Sequence, residues 1–151
     1  MKFARLRTKR GQAGRYYPRK HRRDKVDTAL LESGVRQVET ATVVGTIVDA
    51  GDAKAVVTAS GMTGSPKTIA AAVLAGDNAI SVAAKLRTAL RADSAVAGFF
   101  GIGGMNAAIR LTKKAPATND ATMNLAIDND TCTGLTAAPV SHDSIAGIAP
   151  A

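Results

Sequence analysis

The hydrophobic period of this chain changes at Gly76-Asp77-Asn78, and that change orders its central elements. Before it, from Thr68 to Leu74, Ile69, Ala71 and Val73 alternate with Ala70, Ala72 and Leu74, a period of two that predicts a strand. Both sets are apolar, and a strand apolar on both faces is usually covered on both. Pro66 has no backbone donor, so it belongs at the start of this strand or on an edge. After the break the period becomes helical. Ala79, Val82, Ala83, Leu86 and Leu90 fall on one stripe, with Ser81, Lys85 and Thr88 opposite. Asp77 or Asn78 can cap the helix N-terminus, and Lys85, Arg87 and Arg91 suit the negative end of its dipole. The spacing predicts a helix over 79–92, lying on a sheet through Leu86 and Leu90.

The flanking segments predict further strands. Residues 37–48 alternate Val38, Thr40, Thr42 and Val44 against Glu39, Ala41 and Val43, a β-branched pattern. Asp49 to Asp52 make a turn, and 53–60 alternate Lys54, Val56 and Thr58 against Ala55, Val57 and Ala59. The short turn Gly61–Ser65 predicts that this strand pairs antiparallel with the next, 67–75. Asp93 to Ala97 reads as a linker, and Phe99, Phe100 and Ile102 as core residues entering a short strand. Strand 107–113 should place Ile109 and Leu111 inward and Arg110 outward. Strand 121–128 sets Met123, Leu125 and Ile127 against Asn124, Ala126 and Asp128. Val26 to Gly34 reads as a short helix stopped by glycine. The fold class expected is α+β: one small mixed or antiparallel sheet, one main helix on one face, and extended N- and C-terminal arms. The first strand would extend that sheet or pair with another subunit. The divisions are a basic arm over 1–34, the α+β domain over 35–136, and an extended or frayed tail over 137–151.

Charge supplies the sharpest functional clue. The net charge of +8 divides unevenly: residues 1–27 hold eleven Lys/Arg and two Asp, giving +9, while 28–151 hold nine Lys/Arg and ten Asp/Glu, giving −1. The first 25 residues contain Gly11, Gly14 and Pro18 with few large apolar side chains, a composition that cannot offset its own ordering entropy. The candidate partner-binding residues of this arm are Arg15, Tyr16, Tyr17, Arg19, Lys20, Arg22 and Arg23. Three readings stay open for it: a solvated tail, an arm that orders on an acidic protein surface, and a nucleic-acid contact through phosphate pairing and Tyr stacking. The chain has no run of eighteen apolar residues, so no membrane partner is expected, and the basic N-terminus lacks the apolar stretch of a secretory signal.

Catalytic chemistry needs a nucleophile, base or metal with oriented partners. The two histidines, His21 and His142, lie in the predicted arms, and His21 reads as one more member of a basic patch. Cys132 is the single cysteine, in a polar turn, so it forms no internal disulfide. Asp128, Asn129 and Asp130 lack the order and distal Glu of a calcium loop and read as a turn. Asp49 and Asp52 read the same way. The glycines of GFFGIGG lack the order of a phosphate-binding loop. No catalytic residue, metal ligand or cofactor is expected, and the chain reads as a non-enzyme.

Four pieces in order, VTASGMTGSPKTIAAAV, AAKLRTALRADSAVAGFF, IRLTKKAPATNDATMNLAIDN and TCTGLTAA, fall in the run from Ala55 to Thr136 and just beyond it. This run resembles a small structural domain that recurs in virion proteins of tailed bacteriophages and prophages, as capsid-decorating, fibre-associated or tail-associated modules. The resemblance implies a homo-oligomeric structural protein of the virion, assembled in the host cytoplasm, with no catalytic residues to carry over. The expected role is an auxiliary capsid-decorating protein whose basic arm anchors it to the major capsid protein or other virion subunits. The alternatives are a tail or head–tail junction component, and a nucleic-acid-binding protein contacting packaged DNA through residues 1–25. The first fifty residues lie outside the resemblance.

Overall fold

Asn78 starts the main helix as a side-chain cap. Its Oδ1 accepts from the amides of Ile80 at 3.1 Å and Ser81 at 3.0 Å, satisfying two donors that a helix start leaves unpaired. Asp77, just before it, accepts from the Leu74 amide at 2.8 Å and pairs with Lys85 two turns along. The two residues divide the work of ending the preceding strand and starting the helix.

The computed structural model describes residues 33–136 and 141–151. In chain order the elements are β1 (Val38–Thr42), β2 (Val44–Gly45), β3 (Gly51–Thr58), β4 (Lys67–Val73), α1 (Ala79–Ala92), α2 (Ser94–Phe99), β5 (Phe100–Gly103), β6 (Ala108–Lys113), β7 (Asn124–Asn129), β8 (Leu135–Thr136) and β9 (His142–Ile145). The fold is α+β, and among the described residues every strand pairing is antiparallel and α1 is the one long helix. The expected Val26–Gly34 helix falls almost wholly outside the described residues.

The strands divide among sheets ordered β5-β6-β1-β9, β4-β3-β7 and β2-β8, where a single sheet was expected. The division originates in the segment read as one strand over 37–48. The Val43 amide still continues the β1–β6 register, donating to the Ala107 carbonyl at 2.9 Å, and the break comes just after it, where Gly45 adopts φ +109°. The first half of the segment therefore pairs with β6 and β9, and the second half with β8. Gly45 and Gly134 make that second pairing close. A Cβ on Gly45 would lie 2.3 Å from the Gly134 carbonyl oxygen, and one on Gly134 2.2 Å from that of Thr46.

Helix α1 lies across both main sheets, contacting β3 and β4 of one and β5 and β6 of the other. Val82, Ala83, Leu86 and Leu90 are its buried residues, the stripe read from the sequence. They join Val57, Val73, Phe100, Ile109, Leu111, Leu125 and Ile127 in one core cluster. Full burial of a leucine contributes about 1.5–3 kcal/mol, so the stripe is the main fastening between the sheets. As expected, Ile109 and Leu111 point inward with Arg110 outward, and Met123, Leu125 and Ile127 point inward from the β7 region.

Three segments depart from their sequence expectations. Strand β4 is covered on one face only: Ala71 and Val73 are buried, but Ala70 and Ala72 are exposed and Leu74 is 67% exposed. It is an edge strand, and alanine methyls on an open face cost little in water. The expected linker Asp93–Ala97 is instead the start of α2, because Asp93 Oδ1 caps the amides of Ala95 and Val96 at 3.0 Å each. Six residues are too few to show a helical period. The expected C-terminal tail docks: His142–Ile145 pairs with β1, and Ile148 and Val35 exchange backbone hydrogen bonds of 2.8 and 2.9 Å.

Candidate functional site

The three buried polar or charged residues in the described chain, Gln37, Glu39 and Lys113, gather where β9 crosses the end of β1. Their burial follows from strand register. Glu39 shares the inward face with Ala41 and Val43, opposite Leu111 of β6 on one side and Asp143 of β9 on the other. Gln37 is one period earlier and is fully buried.

Gln37 works in both directions. Its Nε2 donates to the Asp120 carbonyl at 3.0 Å and to Asp143 Oδ1 at 2.6 Å, while its Oε1 accepts from the Asp120 amide at 2.8 Å. Asn119 Nδ2 donates to Asp143 Oδ2 at 2.8 Å, and Asn119 Oδ1 accepts from the Gly147 amide at 2.8 Å. Asp120 Oδ2 accepts from the Ser60 amide at 2.7 Å and pairs with Lys113 Nζ at 3.4 Å, with both side chains largely buried. Lys113 Nζ also stands 5.9 Å from the centre of the Phe99 ring. A loop, an edge strand and the start of β1 thus converge on one polar network.

Within it, Glu39 is the least satisfied group. It is 2% exposed and its Oε2 has no hydrogen-bond partner. Burial pushes its carboxyl from 4.5 up to about 7; a hydrogen bond with Ser141 opposes this, and the hydrogen bond and charge of Asp143 add to it. Asp143 moves the other way. Burial pushes it up, but donors from Asn119, Gln37 and Glu39 outweigh that and hold it below 3.8. Asp120 is likewise held low: burial raises it, and hydrogen bonds from Thr122 and the Ser60 amide, with the Lys113 charge, overcome that. Below about pH 7 the arrangement is one protonated acid, Glu39, beside an ionised one, Asp143.

The seven arm residues, Arg15, Tyr16, Tyr17, Arg19, Lys20, Arg22 and Arg23, lie outside the described residues, as does His21. His142 is exposed on β9 opposite Thr40. Cys132 is buried, with its Sγ 3.4 Å from Asn129 Oδ1. Asp128–Asp130 form the end of β7 and its turn. There Asn129 clasps Leu135, accepting from its amide at 3.1 Å and donating to its carbonyl at 2.9 Å. Asp49 Oδ2 accepts from Thr133 Oγ1 at 2.6 Å, so it too serves a turn. Among the described residues, no three His, Cys, Asp or Glu side chains are placed to hold a metal ion, and no helix is long and apolar enough to cross a membrane.

The polar network was not singled out from the sequence. One signal pointed to it: Glu39 alternates with Ala41 and Val43, so a strand with that face inward buries a carboxylate. Its partner Asp143 carried no such signal, lying in a segment read as a tail. The fold and this network define a small α+β domain fastened by its own C-terminal segment, and the sequence ahead of it is strongly basic. Compared with known protein families and with curated proteins, the chain matches none.

Proposed function

We propose that this protein is a non-enzymatic structural protein of a tailed-phage virion, an auxiliary capsid-decorating subunit that docks through its basic N-terminal arm. The observation that carries the proposal is the charge asymmetry: +9 over residues 1–27 against −1 over the rest. A nearly neutral domain joined to a strongly basic segment suits a module steered onto an acidic assembled surface. The class is suggested by the resemblance to virion domains read from the sequence of residues 55–136. Arg15, Tyr16, Tyr17, Arg19, Lys20, Arg22 and Arg23 are the proposed anchors, with the tyrosines giving large contact area at low entropic cost. The partner is the major capsid protein or another virion subunit.

The test is co-sedimentation with purified capsids stripped of accessory proteins, using full-length protein and a version lacking residues 1–25. Binding by the full-length form alone, surviving moderate salt, supports the anchoring arm. The same composition of Arg, Lys and Tyr favours a second reading, contact with packaged DNA. That reading replaces the first if neither form binds capsids and the full-length form binds DNA with an affinity that falls steeply with salt.

A further inference from the structure

We propose that the C-terminal strand β9 is a pH-sensitive latch, held on the edge of β1 by a proton shared between Glu39 and Asp143 and loosened when that proton leaves.

The geometry of β9 makes it detachable. All four of its residues are exposed, and the large apolar side chains of the docked segment, Ile145 and Ile148, are 49% and 43% exposed. Little hydrophobic area therefore holds it. Its fastenings are polar: Gln37 and Asn119 to Asp143, Ser144 to Thr40, Ser141 Oγ to the Leu125 amide, and the Gly147 amide to Asn119. Gly147 sits flush against the domain, since a Cβ there would fall 2.5 Å from the Ala117 carbonyl oxygen. Segments held this way open locally at a small fraction of the cost of global unfolding.

Glu39 decides when. The titratable groups on the elements around it are Asp143 and His142 on β9, Arg110 and Lys113 on β6, Asp120 in the β6–β7 loop, Asp128 on β7, and Arg36 just before β1. Lys113 is engaged by Asp120, and Asp143 acts directly on the Glu39 carboxyl. Both Asp143 oxygens already accept from the neutral donors Gln37 and Asn119, so its negative charge is well held. Glu39 keeps the proton. When Glu39 ionises, a buried carboxylate faces a second one, with its Oε2 unpartnered. Lifting β9 admits water to both, at the loss of few apolar contacts.

The sign follows from the two states. With β9 docked the Glu39 carboxyl is raised from 4.5 to about 7, so its contribution to docking is fully present below 4.5 and lost as pH rises through about 7. Asp143, held below 3.8, contributes in the opposite sense, and its share is lost only as pH falls through its lowered value. Above neutrality the latch loosens through Glu39, and lifting β9 bares the β1 edge, a row of backbone groups able to accept another strand.

Amide hydrogen exchange on the full chain tests this, with rates corrected for intrinsic pH dependence. Between about pH 6 and about pH 8, the corrected rates for 142–148 should rise by about tenfold, the linked proton giving up to tenfold per pH unit below about 7 and levelling off above it, while those of β3 and α1 hold. Glu39→Gln, which keeps the shape and cannot ionise, should abolish the rise. A flat wild-type profile, or the same rise in E39Q, overturns the proposal. Should E39Q fail to fold, a carbon-13 titration of the wild-type Glu39 carboxyl decides: a midpoint near 7 supports the latch, and one near the ordinary 4.5 sinks it.

Discussion

Gln37 and Asp120, 83 residues apart in the chain, grip each other twice: Gln37 Nε2 donates to the Asp120 carbonyl at 3.0 Å and Gln37 Oε1 accepts from the Asp120 amide at 2.8 Å. A side-chain amide here does what a neighbouring strand would do, closing the backbone of a loop that runs beside β1. Replacing Gln37 with Leu keeps the volume, leaves the Asp120 amide without an acceptor and takes the Gln37 donor from Asp143 Oδ1, while the Asp120 carbonyl keeps the Met123 amide at 3.1 Å. At about 1–3 kcal/mol for each orphaned group, urea denaturation should show a loss of at least about 2 kcal/mol. A loss under about 0.5 kcal/mol would mean that the loop finds other partners.

Asp120 sets the acid limit of the same region. Its carboxyl is held below 3.8, so the stability it contributes is present above 3.8 and lost as pH falls through the lowered value. Asp120→Asn should be less stable than wild type at neutral pH. The gap should narrow as the pH is lowered from about 4 to about 2, because wild type then loses the charge that the variant never had. Melting temperatures taken across that range check it.

Asn78 starts α1 with two hydrogen bonds accepted by one side chain. Asn78→Ala removes the acceptor for the Ile80 and Ser81 amides and should cost about 1 kcal/mol, whereas Asn78→Gly should cost only a few tenths. Equal losses in the two variants would place the stability in something other than the cap.

Leu86 sits in the stripe that spans both sheets and is fully buried. Leu86→Ala should cost about 2–5 kcal/mol by removing buried methyls and leaving a cavity, with loss of protection spread over β3 and β6 alike. Protection lost in one sheet alone would contradict the bridging role of α1.

Gly134 tolerates no side chain on two counts, a φ of +107° and the 2.2 Å approach of a Cβ to the Thr46 carbonyl oxygen. Gly134→Ala should destabilise by about 1–3 kcal/mol from backbone strain alone, and should open the β2–β8 pairing first. Exchange at the Thr46–Val48 and Thr133–Thr136 amides would report it.

Elements whose evidence is local were legible from residue order. The cap at Asn78, the Val82/Ala83/Leu86/Leu90 stripe, the antiparallel β3–β4 pair and the inward faces of β6 and β7 all follow from periods and turns a few residues long. Such signals are written into neighbouring residues because propensity, capping and alternation act over one or two turns of chain. Helix α2 escaped notice because six residues cannot display a period, although its cap, Asp93, was in plain view.

What order along the chain could not supply is which segments meet. Residues 37–48 carry one unbroken alternation, yet the break at Gly45 sends their two halves to different sheets, a choice made by β6, β8 and β9 from far along the chain. The C-terminal segment has no apolar alternation of its own, so nothing local marks it as a strand. It docks because Gln37, Thr40 and Asn119 present hydrogen-bond partners to it. Glu39 shows the same boundary within one residue. Alternation alone puts it on the face of Ala41 and Val43, but its proton affinity depends on Asp143, brought opposite it only by the fold. Local geometry needs only neighbours, whereas the energy of a buried charge depends on everything that replaces water around it.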